Sequence, residues 1–285
     1  MKSFLKELTP PLILSFIRNS ITYKEFLKYK HLTQKNLVFK NMHKGKRCFI
    51  LGSGPSIKKQ NLLPLKNEIV FGLNNFFVHE SFEEIFSGEK AKYFITAPIH
   101  LPQAEREWVD WFNEMERYVP KNVKMFFGIN NYKENSKKLF ESFQLFSQHD
   151  IYWYFSGRSF NETRFNEKGM DLNEVVFSGE AASIYALIIA IYMGFDEIYL
   201  LGMDHDYFLY DNAQYMRMYR EAKHQENELE RTFRDDFYIQ EFLRQYKIFV
   251  KYRAFANNSN SKIINASAGG ILKVFPKVSF EKLFT

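Results

Sequence analysis

The chain has 285 residues, 46% of them hydrophobic and 25% charged, which excludes a disordered or fibrous chain and allows a full buried core. A net charge of +6 favours anionic partners such as nucleotides, phosphorylated sugars or acidic lipids. The single cysteine, Cys48, excludes a disulfide framework or a cysteine-based zinc site within one chain, and no apolar run reaches the ~18 residues that cross a bilayer. The first residues lack a small-residue cleavage pattern after an apolar run, so a cytoplasmic location is expected.

Residues 1–44 are rich in Lys and Arg and poor in acids. Phe4, Leu5, Leu8, Leu12, Ile13, Phe16 and Ile17 recur at near-helical spacing, broken at Pro10-Pro11, so two short helices are predicted. Such a basic amphipathic extension fits an anionic membrane face, and equally a helical arm packed on the domain or on a second subunit. From residue 45 to 285 the pattern predicts one domain.

Arg47–Leu51 is a short apolar run ended by glycines, as a buried parallel strand would be. Glu68–Leu73, Lys92–Thr96, Val123–Phe127 and Ile151–Phe155 read as further strands, the last at an edge. Gln103–Tyr118 and Tyr132–Phe146 read as helices between them. Gly179–Met193 is a nearly all-apolar helix leading into Glu197–Gly202, the clearest strand of the chain. Residues 206–236 are charged and aromatic without strand character, as a helical lid or insertion would be. Phe237–Tyr246 reads as helix, Phe249–Phe255 as strand, and Lys262–Asn265 as a short last strand. The alternation predicts an α/β fold: a Rossmann-like, doubly wound, mostly parallel sheet with a helical lid and an N-terminal helical extension.

Several polar clusters fall at predicted strand ends. Gly52-Ser53-Gly54-Pro55-Ser56 follows the first strand, and its glycines would let the backbone approach a phosphate. It lacks the third glycine of the dinucleotide fingerprint and the Gly-Lys-Ser/Thr of a P-loop. Asn74-Asn75 ends the second strand, where amides suit ribose or base recognition. Ser178-Gly179 precedes the apolar helix, with Ser178 placed to cap it and the helix start placed to hold a second anion. Asp204 and Asp206 form an Asp-x-Asp pattern that either holds a divalent metal or, for Asp204, orients the neighbouring loop. His205 beside them and His224 in the lid are candidate proton acceptors. No stacking platform interleaved with Arg or Lys is found, so nucleic acid is not expected as a partner.

In this order, Gly52–Ser56, Asn74, Ser178-Gly179 and Gly202-Met203-Asp204 resemble bacterial sialyltransferases of glycosyltransferase family 42. That resemblance implies a CMP-linked nonulosonate donor bound by Gly52, Ser53, Gly54, Pro55, Ser56, Asn74, Asn75, Ser178, Gly179 and Asp204. It also implies a lid histidine as base, a tyrosine such as Tyr207 on the departing phosphate, and neither metal nor cofactor. Ser53 stands where that family has Asn, Asp206 where it has a phosphate-holding Tyr, and the setting of its lid histidine is absent around His224. Residues 178–207 and the tail Ile264–Gly270 are also similar to the 6-hydroxymethylpterin diphosphokinase-like family of surface-glycan proteins, which would bring Gly269 back to the nucleotide crevice. The expectation is a nucleotide-sugar glycosyltransferase acting on a glycan acceptor in surface polysaccharide synthesis, peripheral on the inner membrane. The alternatives are a pterin pyrophosphokinase using ATP and Mg²⁺ on Asp204 and Asp206, or a non-catalytic partner in glycan synthesis.

Overall fold

A computed structural model describes residues 11–101, 103–163, 165–210, 217–219 and 237–284. Most of the expected lid, with Tyr215 and His224, lies outside the described residues.

Eight strands form one all-parallel sheet: β1 Arg47–Leu51, β2 Val70–Leu73, β3 Lys92–Ile95, β4 Lys124–Ile129, β5 Asp150–Arg158, β6 Val175–Phe177, β7 Glu197–Leu201 and β8 Lys262–Asn265. Their spatial order is β6-β5-β4-β3-β2-β1-β7-β8. The chain therefore starts in the interior at β1, walks outward to β6, and crosses back to lay β7 on the other side of β1. The α/β, doubly wound expectation holds.

Burial on both faces explains the apolar strand runs. Along β1, Cys48 and Ile50 point into one core layer and Phe49 and Leu51 into the other. The first layer is filled by helix α5, Ala182–Tyr192, buried almost all round, and by the inner face of α6, Phe237–Asn257. The second is filled by α3, Glu105–Tyr118, and α4, Ser136–Phe143, around close-packed phenylalanines. Phe127 meets Phe140 at 4.6 Å and Phe146 at 5.0 Å, which shows where much of the chain's Phe content goes. The five-residue α2, Phe82–Phe86, adds to the same layer.

Two local expectations are corrected. Phe249–Phe255 is not a strand but the second half of α6. Its buried positions Ile248, Tyr252 and Phe255 recur at helical spacing, and that outweighs an aromatic, β-branched window. Ile151–Phe155 is not at an edge: β5 lies between β4 and the three-residue β6, which is too short to leave a periodic signal. On the N-terminal side helix α1 runs over Pro11–Thr33, starting at the expected Pro10-Pro11 break, and is followed by a 3₁₀ segment Gln34–Phe39; the helix expected before the break lies outside the described residues.

Helix α1 lies antiparallel across β5. Asn19 Oδ1 accepts the Ser159 N–H at 3.1 Å, and Asn131 Nδ2 donates to Thr22 Oγ1 at 2.7 Å. Further along, Phe26 packs edge-on to Phe155 at 5.6 Å, and Asn36 Nδ2 donates to the Trp153 carbonyl at 2.8 Å. Phe26 is fully buried, so Phe26→Ala is expected to lower unfolding free energy by about 3–5 kcal/mol in a urea titration. A loss well under ~1 kcal/mol would mean that α1 is detached in solution.

Candidate functional site

A cavity of about 390 Å³ opens at the carboxyl ends of β1, β2, β3 and β7. Strand order reverses between β1 and β7, so the loops leaving them turn away in opposite directions and leave a crevice there. Four walls enclose it.

The first wall joins the two strand exits. The Gly52 N–H donates to the Leu201 carbonyl at 2.8 Å and the Gly54 N–H to the Gly202 carbonyl at 2.9 Å. Asp204, 1% exposed, accepts the Ser56 N–H at 2.8 Å on Oδ2 and the Ser56 hydroxyl on Oδ1. A Cβ on Gly52 would come within 2.6 Å of the Gly202 oxygen, and one on Gly54 within 2.6 Å of Asp204 Oδ2. These glycines are therefore needed for the approach of one loop to the other. Gly52 and Ser53 face the cavity, whereas Gly54, Pro55 and Ser56 are absorbed in the splice. The tail locks behind it. Gly270, at φ +79, lies against the Asp204 backbone, Gly269 against Ser56, and the Ile271 N–H donates to the Asp204 carbonyl at 2.8 Å.

The Asp204/Asp206 pair does not converge on the cavity. Asp204 lines it with both oxygens held by Ser56. Asp206 does not line it, and its Oδ2 accepts the Tyr210 hydroxyl at 3.2 Å. Burial pushes both carboxyls up from the usual range, with the charge of Asp204 adding to the effect on Asp206. Among the described residues no group of three or more His, Cys, Asp and Glu is placed to hold a metal. The residues present thus fit the loop-orienting role of Asp204, not a metal cradle.

The second wall is the start of α5, contributed by Glu180, Ala181, Ala182 and Ser183. The expected cap is displaced: Ala181, in extended conformation, is the N-cap, while Ser178 is exposed at the end of β6 and the Gly179 N–H donates to the Tyr185 hydroxyl at 2.9 Å. The N-terminal turn of a helix carries partial positive charge and attracts anions.

The third wall is polar and comes from α6 and the β7 exit. His205 is buried in a left-handed conformation, φ +55. Its Nδ1 donates to Gln245 Oε1 at 2.8 Å and its Nε2 accepts from the Tyr252 hydroxyl at 3.1 Å. Tyr252 in turn is hydrogen-bonded to the Ser183 hydroxyl, and Gln245 Nε2 donates to Glu241, which Arg244 holds with two bonds at 2.7 and 2.8 Å. Burial lowers His205 to about 4, so the ring is neutral with both nitrogens engaged. Tyr207 accepts a bond from Arg217 Nη1 at 2.8 Å and lies under the Arg217 and Arg244 guanidinium groups, 4.8 and 5.6 Å from its ring centre. Two guanidinium groups thus stand at one end of the cavity, that of Arg244 already paired with Glu241, which lines the cavity beside it.

The fourth wall is aromatic. Trp108 and Trp111, three residues apart on α3, meet at 5.6 Å, and the exposed ring of His100 stands edge-on to Trp108 at 5.5 Å. Asn74, at φ +48, and Asn75 border this wall, with Asn75 Oδ1 accepting the Trp111 indole N–H. His100 Nδ1 lies 3.0 Å from the Leu101 carbonyl, which sets the Nδ1–H tautomer and leaves Nε2 as an acceptor with no partner among the described residues.

The structure thus gathers Gly52, Ser53, Asn74, Asn75, Asp204, His205 and Tyr207 around one cavity and leaves Ser178, Gly179 and Gly269 off its surface. Sequence reasoning missed His100, Trp108, Trp111, Ser183, Arg217 and Arg244. His100 had a usable signal, since it follows a strand stopped by Pro98 and so belongs to a carboxyl-end loop.

The depressed His205 yields a pH prediction. A neutral ring in the fold and an unfolded value near 6.5 mean that its contribution is present above ~6.5 and is lost as pH falls toward 4. Asn tolerates the left-handed backbone, so His205→Asn isolates the titration. In urea melts at pH 7 and pH 5, the stability gap between wild type and variant should narrow by about 2 kcal/mol at the lower pH. A gap independent of pH would show that the imidazole is not held neutral.

No family model and no curated protein matches the chain. Among solved structures it is similar to the sialyltransferase CstII from Campylobacter jejuni in complex with a substrate analogue, cytidine-5'-monophosphate. Identity is 16% over 83% of this chain and 86% of that one, with a TM-score of 0.43. A likeness of this size carries no argument about the site.

Proposed function

We propose that the protein is a glycosyltransferase that takes a nucleotide-activated sugar, of the CMP-linked nonulosonate type, and transfers the sugar to a glycan acceptor in surface polysaccharide synthesis. The observation that carries this reading is the cavity at the β1/β7 reversal, with an aromatic wall on one side and, on the other, a helix start with two arginines near it. Trp108 and Trp111 offer a base a stacking surface, and the amides of Asn74 and Asn75 offer hydrogen bonds to its edge or to the ribose. The start of α5 with Arg217 and Arg244 neutralises a single phosphate.

A CMP-type donor suits these groups because its leaving group carries one phosphate, which guanidinium groups and a helix N-terminus can stabilise as charge develops. A pyrophosphoryl transfer from ATP would ask for carboxylates on Mg²⁺, and Asp204 is already held on both oxygens by Ser56. In the transfer, His100 Nε2 takes the proton of the acceptor hydroxyl while its Nδ1–H stays on Leu101. His205 orients Ser183 through Tyr252. His224, the lid histidine of the resemblance, lies outside the described residues.

A thermal-shift panel of CMP, UDP, GDP and adenine nucleotides, each with Mg²⁺ or chelator, tests the reading. CMP should raise the midpoint by several degrees with or without chelator. Stabilisation by ATP and Mg²⁺ in place of CMP would overturn it in favour of the pyrophosphokinase. Trp108→Ala should weaken CMP binding about 5- to 100-fold in titration calorimetry. His100→Asn should leave CMP binding within about twofold and slow donor turnover by about 10²–10⁴-fold. Unchanged turnover would remove His100 from the reaction.

A further inference from the structure

Helix α1 carries two contrasting faces. One is pinned to the sheet through Asn19, Thr22 and Phe26. The other turns large apolar side chains to the outside: Ile13 is 50% exposed, Phe16 72%, Ile17 48% and Ile21 63%. These positions follow the i, i+3, i+4, i+8 spacing of a single helical stripe. The stripe continues C-terminally into Lys24 and Lys28, both exposed. Over residues 11–46 the sequence has eight Lys and Arg residues against one acid, Glu25, which is paired with Lys28. No described helix is long and apolar enough to cross a membrane.

Its position adds the functional point. Because α1 runs antiparallel to β5, Asn19 and Thr22 sit beside Ser159 and Asn131, just past the carboxyl ends of β5 and β4. Phe26 and Asn36 lie progressively deeper along the strand, at Phe155 and Trp153. The exposed apolar end of α1 is thus at the same end of the sheet as the cavity, which lies past the carboxyl ends of β1, β2, β3 and β7.

We propose that the outer face of α1 docks on an anionic bilayer surface. Ile13, Phe16, Ile17 and Ile21 enter the interfacial layer and the exposed Lys24 and Lys28 engage acidic headgroups. Because α1 packs along β5, the docked protein lies with its strands along the surface and its cavity end beside the bilayer, within reach of an acceptor attached to lipid. The charge ratio of the segment favours this occupant over a second copy of the chain, whose matching face would carry the same excess of positive charge.

Flotation of the full chain with vesicles tests this independently of what the cavity binds. One set of vesicles is phosphatidylcholine alone, and the other contains about one-third phosphatidylglycerol. The protein should float with the anionic vesicles at low salt, at least about fivefold less with the neutral ones, and progressively less as salt is raised. The exposed-face variant Phe16→Ser/Ile17→Ser/Ile21→Ser and the charge variant Lys24→Glu/Lys28→Glu should each cut flotation by about fivefold or more while keeping the wild-type melting midpoint. Flotation that is absent, or equal for wild type and both variants, would overturn the proposal. So would a wild-type dimer in sedimentation velocity that the serine variant dissociates, because the face would then be an interface between copies. Failure of CMP to stabilise the protein, with flotation intact, would count against the nucleotide reading alone.

Discussion

Asp204 holds Ser56 by both of its carboxylate oxygens, and much of the geometry at the carboxyl end of the sheet follows from that contact. In a doubly wound sheet the loops leaving β1 and β7 diverge, and without a tie between them the crevice has no defined width. Here the tie is a buried charge with two donors, reinforced by the Gly52 and Gly54 N–H bonds to the β7 exit. Burial penalises the charge of Asp204, and the two Ser56 bonds offset part of that cost. The loop glycines and the Gly269-Gly270 tail then follow from sterics, because each approaches its neighbour more closely than a Cβ allows.

Polar groups around the cavity divide into held and open ones. His205 belongs to a continuous buried chain from Glu241 through Gln245 and Tyr252 to Ser183, which joins α6 to the first turn of α5. Such a chain fixes side-chain positions, because a broken link would leave a buried donor or acceptor unpaired. His100 has the opposite setting: an exposed ring on a residue that lines the cavity, with one nitrogen on a backbone carbonyl and the other without a partner among the described residues. The two histidines therefore differ in what they can do, although both lie at carboxyl-end loops. The sequence offers His205, just past the clearest strand, as a proton acceptor alongside His224, and its burial is what a local pattern does not foresee.

Helix α1 and the cavity are linked by the direction of packing. An antiparallel helix on β5 carries its N-terminal half to the carboxyl end of a parallel sheet, where ligand sites of this architecture lie. The same packing that buries Phe26 leaves Phe16 and Ile21 outside, so anchoring to the sheet and presentation of an apolar face are two consequences of one helical period.

Much of the fold was legible from the sequence. Strand runs such as Arg47–Leu51 and Glu197–Leu201 are apolar or aromatic and buried at every position after the charged first residue, and their alternation with helices implies parallel pairing. The sequence by itself also determined which strand ends carry polar residues, and so that Gly52, Asn74 and Asp204 belong to one crevice. Only the tertiary structure decided their roles. Whether Asp204 meets a metal or a serine, and whether His205 is open or held by Gln245 and Tyr252, depend on contacts between residues far apart in the chain. The Asp204–Ser56 pair spans 148 positions. A local pattern reports how a residue meets its neighbours along the chain, whereas hydrogen-bond partners and burial are set by which strands the sheet brings side by side.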